Sequence, residues 1–306
     1  MTDSRTSRAA SSSSGEHRRR DALAAALRRP RVEVLPLAGT AELVEQHVPH
    51  ELPVTVTASP RHGLEPTLVL TEALARVGFS AVPHLAARLV FDDAHLTEIL
   101  HRLEVAGVGD VFVVAGDGER PVGDFTDSLE LLTAMQRLRE SGVARGLDQV
   151  GVAGYPEGHP LISHEDLMRA LHAKQPLSTY VVTQMCFDAK AVSSWVTGAR
   201  QSGMHLPVHV GVAGAVDQRK LLRIVGRIGI GQSARFLRKH RHGLVRLLRP
   251  GGYRPDHVVL RLAADMAEPE RRMAGLHLYT LGDVAATERW RQQMLWMLRE
   301  NEIGHG

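Results

Sequence analysis

The sequence predicts a closed (β/α)8 TIM barrel, an α/β fold, and three observations carry the prediction. Eight short runs rich in β-branched residues recur between Val32 and Thr280. Stretches with apolar spacing near 3.6 separate most of them, the pattern of parallel strands joined by helices. The rival, a doubly wound open sheet, wants a Gly-rich phosphate turn after its first strand. Here that turn reads Leu-Pro-Leu-Ala-Gly-Thr. Eight strand–helix units in about 250 residues match a barrel.

In chain order, residues 1–30 come first. Ser, Arg and Gly dominate their first twenty positions and nothing apolar repeats, so the reading is a disordered basic tail. Arg18–Arg20 is followed by too short an apolar stretch for a secretory signal. The barrel is expected over 31–300. Its strands are read at Val32–Leu37, Pro53–Ala58, Phe79–His84, Asp110–Ala115, Gln149–Gly154, Thr179–Thr183, Leu206–Gly211 and Leu276–Thr280. Helices are read at Ala41–Val48, Thr67–Val77, His95–Glu104, Ser128–Glu140, His164–Ala173 and Ala189–Gln201. The interval from Val212 to Gly275 is longer than one unit needs and leaves room for two or three extra helices between strands seven and eight.

Composition narrows the class. The chain has 306 residues, 43% hydrophobic and 23% charged, which are globular proportions. No uncharged apolar run approaches the ~18 residues of a membrane helix. The single cysteine, Cys186, excludes an internal disulfide and a Cys-ligated metal cluster, and points to a reducing, cytoplasmic setting. The net charge of +3 hides an uneven distribution. Gln218 to Pro255 carries eleven Lys and Arg and no acid, which suits an anionic ligand or a solvated helix face. No stacking platform accompanies it, so nucleic acid is not the expected partner.

Polar residues gather at the expected strand ends, which in this fold converge on one mouth. Glu33 is a carboxyl group in an apolar strand. Burial raises a carboxyl pKa toward the working pH, as a general acid needs; a rim glutamate, solvated or salt-bridged, is the alternative. Asp117, after Gly116, either faces a developing cation or forms a turn. His84 and His159 are ligands or hydrogen-bonded structural histidines, and no zinc motif is present. Cys186 has no basic neighbour and reads as packing. Phe236 in the basic stretch stacks on a flat ligand or packs in the core.

Six motifs, in order, resemble the methylenetetrahydrofolate reductase family over about Val32 to Leu295. They are Glu-Val-Leu-Pro at 33–36, Val-Pro-His at 82–84, Gly-Asp at 116–117, Val-Ala-Gly-Tyr-Pro-Glu-Gly-His-Pro at 152–160, Thr-Gln-Met-Cys-Phe-Asp at 183–188 and His-Leu-Tyr-Thr-Leu at 277–281. The resemblance implies reduction of 5,10-methylenetetrahydrofolate by NADH or NADPH. Glu33 is then the general acid and Asp117 the residue that stabilises the iminium. Gln184, Phe236, Asp117 and Tyr279 contact folate, while Thr57, His84, Tyr155, His159 and Asp166 match positions that hold the flavin. Three departures put FAD in doubt. The family's Arg before Gly-Asp is Ala115, its Asn, Arg and Lys after strand five are Arg169, His172 and Ala173, and its Thr-Leu-Asn-Arg is Thr-Leu-Gly-Asp at 280–283. Direct hydride transfer to the folate is therefore the expectation, with no metal involved; the alternatives are the same reaction through bound FAD and a non-catalytic folate-binding protein.

Overall fold

The computed structural model describes residues 3–117, 120–217, 219–220 and 252–303. Eight strands form a closed barrel in sequence order: β1 (Arg31–Val34), β2 (Val54–Val56), β3 (Ala81–Ala86), β4 (Asp110–Val114), β5 (Gln149–Gly154), β6 (Tyr180–Thr183), β7 (Val208–Ala213) and β8 (Met273–Tyr279). Every neighbouring pair is parallel, and β8 closes on β1 with Arg31 opposite His277 and Glu33 opposite Tyr279.

The period of two sorts the strand residues. On one side Val32, Val34, Val54 and Val56 pack outward with Val44, Leu52 and Leu74. On the other side Arg31 and Glu33 of β1 enter the lumen, where they meet side chains from other strands. The outer helices are α2 (Thr40–His47), α3 (Glu65–Arg76), α4 (Asp93–Val105), α5 (Ser128–Glu140), α6 (His164–Lys174) and α7 (Ala189–Gln201). Asp92, Asp127, Ser163 and Asp188 cap the last four by accepting backbone N–H groups.

Further along lie α8 (Asp256–Met266), before β8, and α9 (Val284–Ile303), after it. Of the basic stretch only residues 219–220 and 252–255 are described, so Phe236 and the rest of the insertion lie outside the described residues. Lys220 pairs with the buried Asp283 at 2.8 Å where the described chain leaves the barrel.

The N-terminal segment differs from the disordered tail expected. Asp3–Arg28 forms a helix, α1, which packs on α8 and α9. Its last two turns explain this. They read Asp-Ala-Leu-Ala-Ala-Ala-Leu-Arg, strong helix formers, and they bury Leu23, Ala24, Ala26 and Leu27. Each buried leucine contributes about 1.5–3 kcal/mol. The buried Arg291 of α9 donates to the Leu27 carbonyl at 2.8 Å, satisfying a helix-end acceptor. The polar first half of the segment masks this docking face in the sequence. Among the described residues no helix is long and apolar enough to cross a membrane.

Candidate functional site

The lumen holds two polar layers, two residues apart on β1. In the lower one Arg31 forms an ion pair with Asp110 of β4 and donates to the Tyr180 hydroxyl of β6 at 2.7 Å. That hydroxyl donates to Asp110 at 2.7 Å, and the guanidinium lies 4.3 Å from the Tyr180 ring centre. Gly151 leaves room for this ring, since a Cβ there would approach it to 2.4 Å.

The upper layer centres on Glu33. His277 of β8 brings its Nε2 to 3.0 Å from Glu33 Oε2, and His84 of β3 brings its Nε2 to 3.4 Å from the same oxygen. Burial, the largest single influence, pushes the Glu33 carboxyl up. Hydrogen bonding to His277 and His84, with the charge those imidazoles carry when protonated, outweighs it and holds the pKa at about 2. Glu33 is therefore ionised at neutral pH, which corrects the expectation that burial alone sets it. An ionised carboxylate only accepts, so the His277 ring nitrogen donates. Burial lowers the His277 pKa, against the pull of the Glu33 carboxylate, which raises it.

The other expected residues are held unequally. Tyr279 is held as a neutral phenol by burial, and its hydroxyl donates to the Thr183 carbonyl across the mouth at 2.9 Å. Gln184 is buried, and its Nε2 donates to the Gly158 carbonyl at 2.9 Å. Its Oε1 is buried with no hydrogen-bond partner among the described residues. Leaving such an acceptor bare costs ~1–3 kcal/mol, so it suits a ligand N–H group. Thr57 is half-buried beside β1, its amide donating to the Val34 carbonyl at 3.1 Å. Tyr155 and His159 are half-buried and meet edge to face at 5.5 Å. Asp117 is exposed at the rim, after a left-handed Gly116.

Asp166 is exposed and sits in the first turn of α6, where Ser163 and Arg169 bind it at 2.7 and 2.5 Å and lower its pKa. Arg169 also reaches Glu165 at 3.3 Å, and His172 pairs with Ser202 at 3.1 Å. Cys186 is fully buried with its thiol pushed up by that burial, which agrees with a packing role. Among the described residues no group of three His, Cys, Asp or Glu side chains could hold a metal ion.

Sequence reasoning left two residues of the site without a role. His277 stood inside a recognised motif without a role, although the period of two places it with Tyr279 on one strand face. Glu157 accepts the Phe187 and Asp188 amides at 2.6 and 2.7 Å. It thereby clamps the loop after β6 to the loop after β5, and Gln184 lies in that clamp.

The family model for methylenetetrahydrofolate reductase matches residues 30–231, about two thirds of the chain. Methylenetetrahydrofolate reductase 2 of Saccharomyces cerevisiae is 33% identical over 89 residues, a match covering 27% of this chain and 15% of the yeast protein. Among solved structures, a dihydropteroate synthase from Thermus thermophilus is 11% identical with a TM-score of 0.45, covering 90% of this chain and 94% of that one. An oxaloacetate acetylhydrolase is 9% identical with a TM-score of 0.47, covering 88% and 81%. On the extent of the family match, the chain belongs to the methylenetetrahydrofolate reductase family.

Proposed function

We propose that the protein reduces 5,10-methylenetetrahydrofolate to 5-methyltetrahydrofolate, taking hydride directly from NADH or NADPH. The observation that carries this reading is the Glu33 carboxylate, hydrogen-bonded to His277 and 3.4 Å from His84, at the C-terminal mouth of a barrel of this family. Opening the five-membered ring needs a proton on the departing nitrogen and leaves an iminium cation. Glu33 delivers the proton. Asp117 faces the cation from the rim, and a fixed carboxylate in a water-poor mouth stabilises such charge. Gln184 Oε1 accepts from an N–H group of the pterin, and the Tyr279 ring forms a wall. Phe236, outside the described residues, stacks on folate or nicotinamide.

The family usually couples NAD(P)H to a flavin, which would supply hydride when bound. The residues at the matching positions fit that group poorly. His84 lies against Glu33 at 3.4 Å, while Asp166 and Arg169 pair with each other. His172 faces Ser202, and Ala173 offers no cation. Each lost charged hydrogen bond forgoes roughly 1.5–3 kcal/mol, so two lost contacts weaken a dinucleotide flavin by orders of magnitude. Thr57, Tyr155 and His159 then line the nicotinamide side of the mouth. The iminium is itself a hydride acceptor, so the transfer needs no intermediary.

The test is turnover of 5,10-methylenetetrahydrofolate with NADH by purified protein whose visible spectrum shows no flavin. Product formation supports direct transfer. Product only after FAD is added restores the flavin route, and no product in either case removes the folate reading.

A further inference from the structure

We propose that Thr280 and Asp283 are positioning residues for the proton step: the turn they bound fixes the main chain of Glu33 and ties it to the first residues of the basic stretch. This rests on the reading above that Glu33 serves ring opening.

The turn is the Thr-Leu-Gly-Asp segment at 280–283, directly after β8. Its first residue meets Glu33. The Thr280 amide donates to the Glu33 carbonyl at 3.2 Å, which continues the ladder between β8 and β1. The Thr280 hydroxyl donates to the same carbonyl at 2.7 Å. A carbonyl oxygen has two lone pairs, so one residue occupies both. Thr280 is 1% exposed, and water does not compete for these bonds. His277 thus holds the Glu33 carboxylate and Thr280 its backbone, both from the β8 side.

The middle of the turn is strained. Leu281 and Gly282 both lie in the left-handed region, at φ 50° and 76°. Glycine adopts that conformation freely, whereas the Cβ of a leucine disfavours it. Such an outlier persists only where its surroundings hold it. Here the Leu281 side chain packs, with Tyr279, on the cluster of Met185, Phe187, Val216 and Tyr253. Those residues come from the loops after β6 and β7 and from the far end of the basic stretch.

Asp283 ends the turn with a residue only 2% exposed. Lys220 donates to its carboxylate at 2.8 Å, and the Asp217 amide does so at 3.4 Å. Asp217 in turn accepts the Arg219 and Lys220 amides at 2.9 and 3.2 Å. The start of the basic stretch is therefore fastened to Asp283, three residues from the contact with Glu33. Gly282 and Asp283 stand where the resembled family has Asn-Arg, and the two changes act together. Glycine accepts the left-handed position, and aspartate supplies the buried anchor; an arginine at 283 would set two cations side by side. Proton delivery needs Glu33 held closely, since misplacement by about 1 Å can cost on the order of 10²-fold in rate.

Measurements on the full chain test this. Thr280→Val keeps the shape and removes the hydroxyl. It should lower kcat about 10-fold and leave the folate KM within about 2-fold, while Thr280→Ser should stay within about 3-fold of the parent in both. Equal losses in the two variants, or a change in KM alone, would make Thr280 a packing group and overturn its role. Asp283→Asn and Lys220→Met should each lower kcat about 3-fold, and the double variant should be no worse than the weaker single, because both break one contact. Unchanged kcat, or losses that multiply, would overturn the tie to the basic stretch. The Nε2–H signal of His277 in ¹⁵N-histidine NMR reports its bond to Glu33 without any need for folate. Thr280→Val should move that signal and Thr280→Ser should leave it in place. An unmoved signal in the valine variant overturns the positioning whether or not the protein turns over folate. A parent protein without turnover overturns the folate reading instead, while the His277 signal still decides whether Thr280 places Glu33.

Discussion

Two polar layers share the lumen, and they solve the problem of buried charge in opposite ways. In the lower layer a guanidinium meets a carboxylate and a phenol, so its charge is paired, although the buried Arg31 Nε has no hydrogen-bond partner among the described residues. In the upper layer a carboxylate meets imidazoles, and elsewhere in the barrel the Gln184 acceptor stays bare. Paired charge holds the barrel together. Polarity left adjustable or unsatisfied is available to a ligand.

The largest expected effect separates the layers by activity. Glu33→Gln should cut kcat by about 10²–10⁴-fold with folate binding retained, the range for a lost general acid. Steady-state kinetics beside a binding titration would show this, and activity within a few-fold of the parent would remove Glu33 from the chemistry. The complementary change breaks the lower layer. Arg31→Met leaves Asp110 buried without its cation and should cost ~3–5 kcal/mol in urea unfolding. Adding Asp110→Leu should return much of that loss, which the Glu33 variant never incurs as a stranded charge.

Acid should then distinguish the layers by pH. His209 and His277 have folded pKa values lowered by burial, so the unfolded chain binds their protons first. Stability should fall as pH drops below about 6.5, the ordinary histidine value, and for His209 the loss should run to about pH 3. Glu33 is depressed from 4.5 to about 2, so its contribution is full above about pH 4.5 and is lost as pH falls toward 2. Urea midpoints across this range should lose the lower component in Glu33→Gln and keep it in His209→Asn.

The smallest effect concerns the frame around Gln184. Glu157→Gln weakens the clamp on the Phe187 and Asp188 amides and should raise the folate KM several-fold, about 1 kcal/mol, with kcat nearly unchanged. A fall in kcat at constant KM would instead place Glu157 in the chemistry.

The barrel was legible in the sequence because local signals agree there. Gln149–Gly154, Ser128–Glu140 and Ala189–Gln201 form elements with the boundaries read, and Asp127 and Asp188 mark the two helix starts. The docking of α1 was not legible, since its apolar half is short and follows a Ser- and Arg-rich run. Glu33 announced itself as a charge in an apolar strand. Its protonation state did not, because it is set by His277, 244 positions away, and by His84. Glu157 likewise acts on amides about 30 positions away. Pairings of that range follow from barrel closure, which local spacing does not encode.

The most direct measurement of the central claim follows an isotope. NADH deuterated at the transferable C4 position is mixed with 5,10-methylenetetrahydrofolate and flavin-free protein, and the product methyl group is examined by mass spectrometry. Direct transfer into this mouth gives one deuterium in the methyl group at close to full retention. Unlabelled product, or product only once FAD is supplied, would contradict it.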